Sequence, residues 1–163
     1  MDAEQLQQAV SGLDFQVSGR FEWKRLDEGW LIDDSYNANL GSFRGVLQSI
    51  RFMHPKTPLI AVIGPMAELG ENAEQFHSEV GEVIYHSGCK KLLVLGGDLG
   101  ESYLEGWKNA GGPKENAKRF ESLEELQNDF QQDWDQKSIV LVKGSRSAAM
   151  ERFVKAILNH ESE

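Results

Sequence analysis

Within the seven residues from Asp33 to Asn39, "DDSYNAN", the chain places two carboxylates, a serine, a tyrosine and two asparagines directly after the apolar run "WLI". This mixture of donors, acceptors and one aromatic face suits a ribose or a peptide. It also suits a solvated turn ahead of a helix, because Asp and Asn are turn residues. Asp33 and Asp34 are adjacent, so in extended backbone they point to opposite faces and form no acid/base couple. One of them can turn the loop while the other faces a ligand.

A second cluster lies in "VLVKGSRS". Lys143 and Arg146 follow a buried strand and precede a helix, whose N-terminus favours anions. Gly144 allows close backbone approach, and Ser145 or Ser147 can cap the helix. The two cations make either a carboxylate or phosphate cradle or a charged surface. The patterns of a P-loop, of a dinucleotide-binding glycine loop after the first strand, and of a zinc protease helix do not occur. His77, with Glu68 and Glu74 near it in sequence, reads first as a partly exposed helix histidine.

The elements that must position these residues follow from periodicity. "RFEWKRL" (20–26) alternates as a strand, "DEG" is a turn, and "WLID" (30–33) returns, so a hairpin is expected. From Leu40 the residues Phe43, Val46, Leu47, Ile50 and Met53 recur at helical spacing, with Asn39 or Ser42 as the cap. "HPKTP" (54–58) ends that helix. "LIAVI" (59–63), "KLLVL" (91–95) and "SIVLV" (138–142) read as strands covered on both faces, and "AKRF" (117–120) as a weaker one. Helices are expected over about 73–86, 99–109, from "SLEE" (122–125), and over "SAAMERFVKAIL". "SLEE" has the capping-box pattern.

Strands alternating with helices predict an α/β, Rossmann-like three-layer domain with a mostly parallel sheet and an antiparallel N-terminal hairpin at its edge. Ligands of such folds sit beyond the carboxyl ends of the strands. The strand-end segments are "DDSYNAN", "GPMAELG", "GGD" and "KGSRS", which include both clusters above.

The chain has 163 residues, enough for one domain with a real core, and a net charge of −9 from 17 basic and 26 acidic residues. That charge argues against a general nucleic-acid binder, though it leaves room for a local cationic pocket. No apolar run is long enough for a membrane span, and the acidic, polar start is no signal peptide. A single cysteine, Cys89, fits a reducing cytoplasm and reads as a small core residue.

Four blocks, taken in order and spacing, resemble the C-terminal domain of the Mur ligases. They are "SGRFE" (18–22), "IDDSYNAN" (32–39), "ELGENAEQFHSEVG" (68–81) and "VLVKGSRSAAMERFV" (140–154). The likeness is closest to the type that adds D-alanyl-D-alanine to UDP-N-acetylmuramoyl-tripeptide in peptidoglycan precursor synthesis. It runs from about Leu6 to Leu158. It implies that residues 1–163 form the last of three domains, without the UDP-sugar domain and the central P-loop domain. The implied reaction uses ATP with Mg2+, whose ligands belong to the central domain, and passes through an acyl phosphate that the dipeptide's amine attacks. A cytoplasmic monomer is expected, inactive as a ligase in isolation and weak in ATP binding.

The resemblance also implies roles. Arg20 would reach toward the γ-phosphate, and Asp34 would bond the ribose hydroxyls. Tyr36 and Asn37 would lie near the nucleotide, and Asn39 near the dipeptide. Lys143, Ser145 and Arg146 would line the dipeptide side. Glu68 and His77 match family positions without an assigned role. Two positions depart from the family pattern. Leu40 stands where a proline usually starts the helix, and Pro65 replaces an acidic residue. A different class of function, a stand-alone nucleotide- or peptide-binding module without catalysis, is the alternative; a flavin or dinucleotide binder is a weaker one.

Overall fold

Strand β1 (Glu22–Arg25) turns through 26–29 into β2 (Trp30–Asp34), and the two pair antiparallel. The computed structural model describes residues 18–160. Helix α1 (Leu40–Met53) leads to β3 (Leu59–Ile63), then to α2 (Ala73–His86) and β4 (Lys91–Leu95). Helix α3 (Asp98–Asn109), β5 (Ala117–Phe120), α4 (Leu123–Gln132), β6 (Ile139–Lys143) and α5 (Glu151–His160) complete the order. The sheet runs β1-β2-β6-β3-β4-β5, parallel except for the β1–β2 edge pair. The expected α/β architecture, with its antiparallel edge hairpin, is what the chain adopts.

The central strands carry apolar runs, with charged residues only at their ends, because both faces are covered. Ile32, Ala61, Leu92 and Leu141 face α1, α2 and α3, where Phe43, Ile50, Ile84, Tyr103 and Trp107 are buried. Leu31, Val62, Leu93 and Val140 face α4 and α5, packed by Phe130 and Phe153. Met53 was expected on the buried stripe of α1 but is exposed, since the helix ends there and turns into "HPKTP".

The topology fixes where a site can form. Because β6 is inserted between β2 and β3, the chain leaves β2 for the layer of α1 and leaves β6 for the layer of α5. Two neighbouring strands that exit to opposite faces open a crevice at their carboxyl ends. In that crevice Asp34 and Lys143, the last residues of β2 and β6, are register partners.

Two helix starts show the local chemistry at work. Asn39 caps α1 by accepting from the Ser42 N–H at 2.8 Å, while Ser42 Oγ accepts from the Asn39 N–H at 3.0 Å. Both capping candidates are therefore used, reciprocally. Leu40 is the first helical residue, whose N–H needs no helical partner, so a proline is dispensable there. Ser122 caps α4 as expected, but Glu125 bonds the Glu121 N–H in place of the cap residue's own. The last helix is shorter than "SAAMERFVKAIL" suggests. Residues Arg146–Ala148 form a 3₁₀ turn, and Ala149 is left-handed at φ 50° before α5 begins.

Candidate functional site

Asp34 organises the crevice. Its Oδ1 accepts from the Phe21 N–H at 3.0 Å and its Oδ2 from Lys143 Nζ at 2.6 Å. Lys143 is 1% exposed, also donates to the Asn37 carbonyl at 3.0 Å, and lies 5.4 Å from the centre of the Phe43 ring. Burial pulls its ammonium below the ordinary lysine value, opposed by the Asp34 carboxylate. Two of the three ammonium N–H groups are thus used within the protein, and Lys143 lines the crevice as an ion-paired cation. Asp34 keeps spare lone pairs, since each carboxylate oxygen can accept twice.

Asp33 takes the turn role. It is buried, and its Oδ1 accepts from the Ser35 N–H and Oγ, at 3.2 and 2.6 Å. The two adjacent aspartates divide the work between turning the loop and facing the crevice.

The "SGR" turn is tied to the same loop. The Gly19 carbonyl accepts from the Tyr36 N–H at 2.9 Å, and Gly19 has φ 81°, where a side chain would be strained and would meet Ser35 Oγ at 3.0 Å. This tie brings the Arg20 guanidinium to 4.3 Å from the Tyr36 ring centre. Arg146 approaches the same ring at 5.6 Å from the other strand-end segment. Among the described residues neither arginine has an acid partner; each is held by the tyrosine's π-face. In a chain with nine net negative charges, two guanidiniums on one ring mark a place for anions.

Two adjoining cavities share Tyr36 and Asn37. One, of about 280 Å³, is lined by Arg20, Phe21, Asp34, Asn39, Ser42 and Lys143. The other, of about 510 Å³, is lined by Ala67, Glu68, Ser145, Arg146 and Ser147. Nine of the ten residues singled out in sequence therefore come together here, and His77 is the one that does not line either cavity. Asn37 Oδ1 is used on the Ala38 N–H and Asn39 Oδ1 on its cap, which leaves their amide NH2 groups for a ligand. Ser145 is buried, with its N–H on the Pro65 carbonyl at 3.0 Å and its Oγ 3.0 Å from Ser147 Oγ. Gly144 does approach a backbone closely, but that of Gly64 in the protein: an added Cβ would lie 3.3 Å from Gly64 Cα and 2.7 Å from Met150 Cγ.

His77 is fully buried, not partly exposed as expected. The sequence reading missed Phe21, Phe43, Ser42, Ala67 and Ser147 as lining or supporting residues. Ser42 carried a signal, standing three residues after Asn39 at the reciprocal capping position. Phe43 did not, since an apolar residue on a helix stripe announces only a core position. Among the described residues three non-glycine residues have positive φ, Phe21, Glu68 and Ala149, and all fall in segments that border this crevice. Backbone strain concentrates at such places when the surroundings enforce it. A further cavity near Asp27, Phe130, Trp134 and Ile157 lies toward the amino end of β6, away from this chemistry. No helix of the described residues is long and apolar enough to cross a membrane.

A family model described as "Mur ligase, glutamate ligase domain" matches residues 19–146. The UDP-N-acetylmuramoyl-tripeptide–D-alanyl-D-alanine ligase of Escherichia coli K12 is 37% identical over 143 residues, which cover 86% of this chain and 30% of that protein. A crystal structure of MurF from Acinetobacter baumannii aligns with TM-score 0.76 and 26% identity over 94% of this chain and 34% of its own. MurF ligase from Thermotoga maritima, solved in complex with ADP, shares the fold with TM-score 0.73 at 23% identity, over 90% of this chain and 32% of its own. The chain thus spans about a third of the length of these relatives.

Proposed function

The chain belongs to the Mur ligase family, and we propose that it is the C-terminal, amine-substrate and ATP-contacting domain of a D-alanyl-D-alanine-adding ligase of peptidoglycan precursor synthesis. The observation that carries this reading is the pair of arginines, without an acid partner among the described residues, converging on Tyr36 between two cavities, beside the Asp34–Lys143 pair. On this reading residues 1–163 are one domain of a longer cytoplasmic protein, whose UDP-sugar and P-loop domains lie elsewhere in it.

The residues present fit a nucleotide on the smaller cavity. Asp34 has lone pairs for ribose hydroxyls, Tyr36 and Asn37 line the wall, and Arg20 offers a guanidinium to the γ-phosphate. ATP supplies the phosphoryl group that activates the peptide carboxylate. Transfer of that group develops charge on its peripheral oxygens, and catalysis there is chiefly positioning and electrostatic. An arginine brought in by domain closure would meet that charge while closure excludes water from the acyl phosphate. On this reading the magnesium ligands belong to the central domain.

The larger cavity fits the dipeptide. Arg146 would bind its terminal carboxylate, with Ser145 and Ser147 as hydrogen-bonding groups, while Asn39, expected on the dipeptide side, lines the smaller cavity. The dipeptide's amine would attack the acyl carbonyl, forming the amide, losing its proton and releasing phosphate. The test is an amide-formation assay with ATP, UDP-N-acetylmuramoyl-tripeptide and D-alanyl-D-alanine. The chain alone should form no product, and the chain joined to its UDP-sugar and P-loop domains should form it with ADP release. Ligation by the chain alone, or none by the joined protein, would overturn the reading.

A further inference from the structure

His77 lies outside both cavities, yet its ring sets one of their walls. Its Nε2 accepts from the Met66 N–H at 2.9 Å, and its Nδ1 lies 2.5 Å from the Ala73 carbonyl. A carbonyl needs a proton opposite it and an amide needs a lone pair, so the ring is the neutral Nδ1–H tautomer, defined from both sides. The ring packs edge-on against Tyr103 at 4.7 Å, and the Tyr103 hydroxyl donates to the Gly64 carbonyl at 3.1 Å. Imidazole and phenol, from α2 and α3, thus hold the chain at both sides of Pro65 as it leaves β3.

That segment carries the site on its other side. The Gly64 N–H bonds the Lys143 carbonyl at 2.9 Å, and the Pro65 carbonyl takes the Ser145 N–H at 3.0 Å. Immediately beyond Met66, Ala67 and Glu68 line the larger cavity, and Glu68 is held left-handed at φ 59°. We propose that His77 is a positioning residue for the dipeptide cavity, acting through Met66 as a neutral hydrogen-bond acceptor that fixes the wall formed by Ala67 and Glu68. The proposal rests on the functional reading above for the identity of the ligand.

Protonation of Nε2 would put a donor against a donor in a site without water access. The groups around the ring offer no compensation. Tyr103 is buried and its phenol is pushed well above the ordinary value by that burial, while Glu74 on α2 and Glu68 in the loop are exposed. Burial accordingly pushes the imidazole below the ordinary histidine value, opposed by the Ala73 carbonyl.

Three measurements on the chain test this. In nitrogen-detected NMR at pH 7.5, His77 should be a neutral ring with its proton on Nδ1. His77→Phe, which keeps an aromatic ring but removes the acceptor, should make the Met66 amide exchange about tenfold faster while the β3 amides keep their protection. His77→Gln, which restores an acceptor, should recover most of the protection and lose the added exchange that the wild type shows as falling pH protonates the imidazole. A charged or Nε2-protonated ring at pH 7.5, unchanged Met66 exchange in His77→Phe, or no recovery in His77→Gln would each overturn the proposal. In the protein joined to its other domains, His77→Phe should raise the KM for D-alanyl-D-alanine several-fold with the KM for ATP unchanged. An unchanged dipeptide KM would overturn the positioning role. Exchange reads the loop without ligand, so failure of the functional reading would show as absent ligation beside an intact exchange result.

Discussion

Asp34 and Lys143 show why a residue can be found in sequence while its role is not. The composition of "DDSYNAN" and "KGSRS" marked both as polar groups at strand ends, but only the sheet order makes them register partners. Removing one member of a buried pair leaves the other charge uncompensated. Asp34→Ala should therefore destabilise the fold by about 3 kcal/mol, and in urea denaturation it should be worse than the double variant Asp34→Asn with Lys143→Met. His77 gives a pH prediction. Its folded-state value is depressed, so its contribution is present in full above the ordinary 6.5 and is lost as pH falls through the lowered value. Urea midpoints should therefore fall more steeply as pH drops below 6.5 in wild type than in His77→Gln. Equal slopes would show that the imidazole takes up its proton equally in both states. Burial of this histidine was not legible because a single His on a helix carries no mark of what packs on it.

The elements themselves were largely readable, because each strand is an unbroken apolar run or an alternating one and each helix has an apolar stripe. Their ends were harder. The start of α5 was placed too early, since "RSAA" has good helical residues and nothing in it announces the left-handed Ala149. What the sequence hid most completely is the contact between α2 and α3. A Cβ on Gly81 would lie 2.1 Å from the Tyr103 carbonyl oxygen, and one on Gly106 would lie 1.8 Å from that of Ser78. The two backbones touch, and this contact brings Tyr103 onto His77. Gly81→Ala should cost about 3 kcal/mol through displaced backbone. It should also broaden the Gly64–Glu68 resonances, an effect that a loss of stability confined to the helices would not produce. At the other end of the site, Asn39→Ala should cost about 1 kcal/mol by removing the reciprocal cap of α1.

At the scale of the whole molecule, the insertion of β6 between β2 and β3 creates the crevice, and the "SGR" turn brings a guanidinium to it from the antiparallel edge. Strand alternation implied the sheet and its binding edge, but not the strand order, because periodicity says nothing about which strands are neighbours. The site gathered there is one-sided: Arg20 and Arg146 face outward from Tyr36 with no acid partner among the described residues. As proposed above, these arginines complete a ligase site when the P-loop domain closes on them. The most direct test is D-alanyl-D-alanine-dependent ADP release by the chain joined to its UDP-sugar and P-loop domains, compared with the same protein carrying Arg20→Ala. The account predicts dipeptide-dependent release in the first and a fall in kcat of about 100-fold or more in the second. Release that ignores the dipeptide, or an Arg20→Ala protein as fast as wild type, would contradict it.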